Sequence, residues 1–304
     1  MALISSKHRR SGLIELWSDF IDRIRRFYRE RGYIEVSTPV LLRFPNLDPH
    51  IEPIPVNVTL RGREERRWLQ TSPEYSMKKL LARYRRDIFQ IAKVFRNREQ
   101  GRLHRIEFHM LEWYRVGGDY RDLIDELRDL LRELMGYADF EELKVEEAFR
   151  RRFGEAIPPS EEAMREFLSG AGLHYEEDED WETLFYRAFL EVERDLGRGK
   201  PLFLTDFPER LCALAKVRGG RAERFELFIE GVEIANGWTE ETDPHEVRAR
   251  LVREAEKRGL PLDEEFIDVH SELPPCAGCS VGLDRLFMIF AGRESLADVE
   301  FLKG

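Results

Sequence analysis

The chain has 304 residues, 42% hydrophobic and 36% charged, with a formal net charge of −10. That composition describes a globular protein of one large domain or two ordinary ones. It contains no run near the roughly 20 unbroken apolar residues of a membrane span and no secretory signal. Its three cysteines, Cys212, Cys276 and Cys279, are too few for a disulfide framework and suit a reducing cytoplasm.

The first predicted element is an amphipathic helix from Ser11 to Arg31, with Ser11 as its cap and Gly32 ending it. "YIEVSTPVLL" follows as a strand, with Pro39 suited to an edge or an interface. Ser72 to Tyr84 is helical, Pro73 fitting the first turn. Ile88 to Arg96 and Ile106 to Tyr114 are two strands joined by the loop "NREQGRLHR". Arg121 to Met135 is helical, and Val145 to Arg198 is mostly helical with an acidic break, "HYEEDED". Phe203 to Leu214 is a strand, Arg224 to Glu241 a hairpin, and Pro244 to Arg258 a charged helix. A glycine-containing strand, "CAGCSVGL", then runs into a helix from Asp284. Without repeats or a low-complexity linker, one α+β domain over 1–304 is the simplest organisation.

The acidic balance counts against a general nucleic-acid binder. The basic runs "KHRR", "ARYRRD" and "FRRRF" are interleaved with acids and read as solvated faces, or as docking sites for an acidic partner.

The hairpin "RFELFIEGVEIANGWTEE" holds five carboxylates. A turn at Glu230–Gly231 pairs Phe228 with Glu233 and Leu227 with Ile234. Glu226, Phe228 and Glu233 then share one face, while Phe225, Leu227, Ile229, Val232 and Ile234 fill the other. Glu226 and Glu233 become neighbours within about 5–8 Å. Carboxylates so close call for water or a cation between them, and Mg²⁺ held by carboxylates plus phosphates is usual at nucleotide sites. A half-exposed hairpin with an acidic outer face is the alternative.

In "IEFHMLEWY", alternation gathers Ile106, Phe108, Met110, Glu112 and Tyr114 on one face. An acid among apolar neighbours needs a cationic partner, either a ligand ammonium or an arginine of the chain. Arg96 ends the preceding strand and Arg285 lies at the junction "SVGLDR", both suited to phosphate. "CAGC" has no second cysteine pair or nearby histidine and reads as structural.

In this order, the pieces resemble the catalytic domain of the class II aminoacyl-tRNA synthetases, specifically the lysyl enzymes. "GYIEVSTPVL", "FRNREQGRLHRIEFHMLEWY" and "VGLDRLFMI" are similar to that family's three motifs. The resemblance covers nearly the whole chain and implies a central antiparallel sheet flanked by helices, a homodimer, and use of ATP with Mg²⁺.

The resemblance implies that Arg96 holds the α-phosphate and that Phe108 and Arg285 sandwich adenine. Asn97, Arg98, Arg105, Glu233, Ile234 and Gly282 complete the ATP site. Glu226 and Glu233 carry Mg²⁺. Ser72, Glu74, Glu112, Tyr114, Asn236, Trp238, Glu240 and Ser280 line the lysine pocket. Bringing Asn236 to the face of Glu233 requires a bulge, expected near Gly237.

No anticodon-reading OB-fold precedes the first helix. In this and in "TSPEY", "MLEWYR" and "EIANG", the chain resembles the stand-alone ligases that attach (R)-β-lysine to elongation factor P. Arg98, Arg105, Trp238 and Ser280 depart from the usual pattern.

The implied activity is activation of lysine or (R)-β-lysine as an adenylate, followed by transfer to a lysine of elongation factor P. The alternatives are a minimal synthetase charging tRNA, an asparagine-forming ligase of the same architecture, and a non-catalytic adenylate-binding regulator. The carboxylate-rich pocket counts against aspartate as substrate.

Overall fold

A computed structural model describes residues 12–301. The expected cap at Ser11 lies outside them. Helix α1 spans Leu13–Glu30; strands β1, Ile34–Glu35, β2, Leu41–Leu42, β3, Ile54–Leu60, and β4, Arg63–Leu69, precede α2, Glu74–Tyr84. Strands β5, Ile88–Phe95, and β6, Glu107–Val116, are followed by α3, Tyr120–Met135, β7, Glu141–Lys144, α4, Val145–Phe153, α5, Glu161–Gly170, and α6, Trp181–Glu193. The remainder is β8, Leu202–Pro208, β9, Val217–Arg218, β10, Arg221–Ile229, β11, Val232–Thr239, α7, Pro244–Arg258, α8, Glu264–Asp268, β12, Cys276–Gly282, and α9, Leu283–Phe290.

The main sheet has the order β1-β5-β6-β12-β11-β10-β8-β7, with β9 paired to β10. The α+β expectation holds. The pairings are antiparallel except at the two margins, where β1 joins β5 and β7 joins β8 in parallel. A separate sheet runs β2-β4-β3.

One face of the main sheet is dry. Phe20, Ile24 and Phe27 of α1, the leucines of α3 and Phe287 of α9 pack there against Phe89, Trp113, Val281, Phe225 and Leu227. Period-two alternation sends every second residue of the same strands to the opposite face. There α4, α5 and α6 cover the β7–β8 side, while α2, α7 and α8 stand over the other end. The site lies on this second face.

Three local expectations need correction. "YIEVSTPVLL" is two two-residue strands rather than one, the chain breaking around Pro39, which has no N–H for a ladder. The strand expected from Phe203 to Leu214 stops at Pro208 and becomes a 3-10 turn, Glu209–Leu211. In the hairpin, Phe228 does pair with Glu233, but Leu227 opposes Ala235 instead of Ile234. The extra residue, Ile234, is a bulge three residues before the expected position. Gly237 serves packing instead: a Cβ there would lie 2.7 Å from the Phe225 ring and 2.9 Å from Cys279 Cβ.

Candidate active site

The bulge allows two rows of side chains to cross the sheet in register. One row is Gln90, Glu112, Ser280, Asn236 and Glu226, each directly opposite the next on adjacent strands. The next is Ile88, Tyr114, Gly278, Trp238 and Arg224. Five residues expected in the substrate pocket therefore sit side by side, brought together from three strands distant in sequence. Gly278 is required at the centre: a Cβ would come within 2.3 Å of the Tyr114 ring and 2.7 Å of Glu240 Oε1.

The cavity above these rows measures about 140 Å³ and is lined by Ser72, Glu74, Glu112, Tyr114, Asn236, Trp238, Glu240, Ser280 and Arg96, among others. Its size is close to that of an engineered cavity that admits benzene, so it takes a small molecule.

The floor is a buried carboxylate cluster. Glu74, Glu112 and Glu240 are each at most 4% exposed. Lys78, one turn beyond Glu74 on α2, is fully buried and donates to Glu74 Oε1 and Glu240 Oε2 at 2.6 Å each. Trp238 Nε1 also donates to Glu240 Oε2, at 2.8 Å. Glu240 Oε1 has no partner although it is buried.

Tyr114 donates its hydroxyl to Glu112 Oε1 at 2.7 Å. Of the two partners expected for Glu112, no arginine among the described residues pairs with it. Burial pushes Glu112 well above the usual carboxylate range, with Glu74 adding to the effect and the Tyr114 hydroxyl opposing it. Burial likewise raises Glu74 to about 7 despite Lys78, and raises Glu240 against the pull of the same lysine. Three carboxyls against one ammonium, with one oxygen unpaired, form a receptor for a further cation.

Arg96 follows β5, its Nε donating to the Thr71 carbonyl at 3.4 Å and its guanidinium 5.2 Å from the Phe108 ring centroid. Arg285 donates Nη1 to the Glu233 carbonyl and Nε to the Leu103 carbonyl, each at 3.0 Å. Gly282 precedes α9 beside Arg285, and Ile234 is buried in the dry core, leaving its backbone for contact. Asn97 donates to Glu52 at 2.6 Å. Arg98, at φ 62°, turns outward to meet Glu52 at 3.0 Å. Arg105 pairs with Glu300 and the His104 carbonyl. Neither of these two departures from the usual pattern lines the cavity.

Glu226 accepts from Arg224 at 2.7 Å, and Arg224 also reaches Asn236 Oδ1 at 3.1 Å. Burial raises Glu226 to about 8, with Arg224 opposing and Glu233 and Glu193 adding. Glu193, on α6, is itself raised to about 7 by burial and by Glu233. This excess of carboxylate fits a divalent cation. Among the described residues no group of three or more His, Cys, Asp or Glu is arranged to hold a metal alone. Cys276 and Cys279 lie in different core clusters and burial raises both thiols, in line with a structural role for "CAGC".

The family model of the class II tRNA synthetases of the D, K and N type matches residues 2–302. The chain belongs to this family. It is 64% identical over 289 residues to a protein of Aquifex aeolicus named elongation factor P–(R)-β-lysine ligase homolog, covering 95% of this chain and 99% of that one. Identity is 38% over 293 residues to the elongation factor P–(R)-β-lysine ligase of Avibacterium paragallinarum, covering 92% and 91%. It is 37% over 295 residues to that of Proteus mirabilis, with the same shares.

Within this class II frame, sequence reasoning missed four groups. Lys78 carried a signal in its i,i+4 spacing from Glu74, and Arg224 in its i,i+2 spacing from Glu226. Glu193 carried none, because only the packing of α6 aims it at the hairpin. His104, whose imidazole is lowered by burial and by Arg285, lies among Glu99, Glu233 and Arg96 and was hidden in the loop between β5 and β6.

Proposed function

We propose that the chain activates lysine or (R)-β-lysine with ATP and transfers it to a lysine side chain of elongation factor P. The observation that carries this reading is the buried cluster of Glu74, Glu112 and Glu240, with Glu240 Oε1 unpaired beneath a cavity that also touches Arg96. Such a floor takes an ammonium group. A substrate anchored there by its side chain points its carboxylate toward Arg96.

That carboxylate attacks the α-phosphorus of ATP, and pyrophosphate leaves. No base is needed, because the nucleophile is already ionised. Arg96 and Arg285 supply fixed positive charge as the phosphate's charge redistributes. Phe108 and Arg285 hold the adenine, with Asn97, Arg98, Arg105, Glu233, Ile234 and Gly282 around the nucleotide. Ser72, Tyr114, Asn236, Trp238 and Ser280 frame the substrate around the three glutamates. Glu226 and Glu233 are the groups that would hold Mg²⁺, which neutralises phosphate charge when bound.

The names of relatives matched almost end to end support elongation factor P as the acceptor, and the net charge of −10 is compatible with a protein partner. The three cysteines suit action in a reducing cytoplasm. No helix among the described residues is long and apolar enough to cross a membrane. Ile34, Val40 and Leu41, 37–43% exposed around Pro39, form the apolar contact of a homodimer.

The test incubates the protein with ATP, Mg²⁺ and each lysine isomer, with elongation factor P and tRNA(Lys) in one tube. A lysyl-sized mass gain on the factor with uncharged tRNA is expected. Charged tRNA and an unmodified factor would replace this reading with a minimal synthetase. Pyrophosphate exchange driven by aspartate would point to the asparagine-forming ligase, and no exchange at all to a binder.

A further inference from the structure

The transfer half-reaction needs a proton acceptor, and none of the groups above is free to serve. An ordinary lysine amine titrates near 10.4, so the attacking nitrogen must shed protons at neutral pH. The floor carboxyls are committed to Lys78, Tyr114 and the substrate ammonium. His104 does not line the cavity, and burial, with Arg285 and Arg96, lowers its imidazole and weakens it as a base.

His50 lines the cavity above the carboxylate floor. It lies on the segment between β2 and β3, at φ 61°, and this segment is firmly held. Tyr75 receives the Leu47 N–H at 3.1 Å, Thr71 donates to Asp48 Oδ2 at 2.8 Å, and Arg258 donates to the carbonyls of Asp48 and Ile51. Its ring meets Tyr186 edge-on at 5.8 Å. Nε2 lies 3.4 Å from Glu182 Oε1, with the His50 side chain 44% exposed and Glu182 27% exposed. The carboxylate orients the ring and leaves Nδ1 for another partner.

Exposure grades the cavity: Glu74, Glu112 and Glu240 are at its floor, Arg96 is partly exposed, and His50 with Glu182 is at its rim. A substrate whose ammonium occupies the floor presents its activated carbonyl toward the rim, where an acceptor amine must arrive. We propose that His50, oriented by Glu182, is the general base of the transfer step. This assignment rests on the ligase reading.

The acceptor ammonium first loses one proton to solvent. The neutral amine then attacks the carbonyl carbon of the adenylate. A carbon–nitrogen bond forms, the bond to the phosphate oxygen breaks, and AMP leaves with the electron pair. His50 Nδ1 takes the second proton from nitrogen and passes it to water. The surroundings favour this role: the hydrogen bond to Glu182 raises the imidazole above its usual value, burial and Lys257 oppose, and Asp180 adds. Of the other groups lining that part of the cavity, Tyr186 and Asp48 bring no positive charge and Arg224 is paired with Glu226; Arg258 is spent on the backbone.

The test compares His50→Gln and Glu182→Gln with the wild type, using hydroxylamine and elongation factor P as alternative nucleophiles. Hydroxylamine is already neutral at pH 7 and traps the adenylate as a hydroxamate without a base. In His50→Gln, transfer to the factor is expected to fall about 100-fold more than hydroxamate formation, in the range of general-base catalysis. The break in the transfer pH profile that belongs to the imidazole should vanish with it, leaving only the rise set by the acceptor ammonium. Glu182→Gln should move that break to lower pH, because the imidazole loses the partner that raises it. A His50→Gln protein whose two rates fall together, or neither falls, overturns the assignment. A wild type that forms no hydroxamate with either lysine isomer removes the ligase reading, and this base with it.

Discussion

Lys78→Met removes the one ammonium from the carboxylate floor while keeping a long unbranched side chain. The native lysine is buried with two partners at 2.6 Å. Burial opposes its charge, but Glu240 and Glu74 hold its proton more tightly than in free lysine. Its own contribution is therefore constant below pH 9, and any pH dependence belongs to the carboxyls. Removing one partner of a buried ion pair costs about 3–5 kcal/mol, and the orphaned acids can escape only by protonation. Holding a carboxyl protonated costs about 1.36 kcal/mol for each pH unit above its unfolded value.

Glu74 rises from 4.5 to about 7 even with the lysine present. A raised carboxyl binds more protons folded than unfolded, so stability falls as pH rises through that window. At pH 5.5, below the value to which Glu74 is raised and about one unit above an unfolded carboxyl, an acid orphaned by Lys78→Met escapes by protonation for about 1.4 kcal/mol. At pH 8 both acids must be neutralised or left charged without a partner, and the full 3–5 kcal/mol is expected. With roughly 2.1 cal/mol/K per residue over 304 residues, each kcal/mol moves Tm by about 1.6 °C. Scanning calorimetry at the two pH values should show losses of about 2 °C at pH 5.5 and 5–8 °C at pH 8. An equal loss at both would refute the idea that the lysine holds ionised carboxylates together.

Arg96→Ala should cut lysine-dependent pyrophosphate exchange by about 10²–10³, as expected for one lost transition-state donor. Glu240→Gln removes the charge from the unpaired oxygen; at about 1.5–3 kcal/mol for a charged hydrogen bond, the KM for lysine should rise about 10–150-fold. Glu226→Gln replaces a carboxyl raised from 4.5 to about 8 by its neutral mimic. A raised carboxyl loses stability with rising pH, so at pH 7 the variant should gain up to about 3 kcal/mol. Calorimetry should show the higher Tm, and exchange assays a lost response to Mg²⁺. A lower Tm would mean that Arg224 depends on that carboxylate more than burial penalises it.

The α+β class was legible because its long elements carry clean periodicity: Phe20, Ile24 and Phe27 along α1, and Leu111 with Trp113 opposite Glu112 with Tyr114 along β6. The hairpin's two faces were legible for the same reason. What alternation cannot show is where a strand skips a beat. Ile234 is as apolar as the position demands on either register, so the bulge there left no mark, while Gly237 offered a false one. Strands β3 and β4 went unseen because "REERRWL" is largely exposed and has no buried face to alternate. Glu112 was read as an acid needing a cation, and the partner is not the arginine that composition suggested. Its hydroxyl partner is Tyr114, and the lysine of the floor, Lys78, pairs with Glu74 on its own helix and with Glu240.

Lys78 also bears on which substrate the pocket accepts within a family that spans D, K and N. A buried lysine beside a small-molecule cavity could serve an acidic substrate as readily as a basic one stands to be repelled. Here the ammonium is occupied on both sides, by Glu74 and by Glu240, and has no exposed surface. What faces the cavity is the far side of those carboxylates: Glu240 Oε1 and the Glu112–Tyr114 pair. An aspartate side chain would meet oxygens with their charge raised in energy by burial, a like-charge contact that costs several kcal/mol. An ammonium would instead offset the burial that disfavours charge on Glu74 and Glu112. The same lysine that could invite an anion thus completes a site that refuses one, and the discrimination lies in how the floor is paired rather than in which residue types it contains.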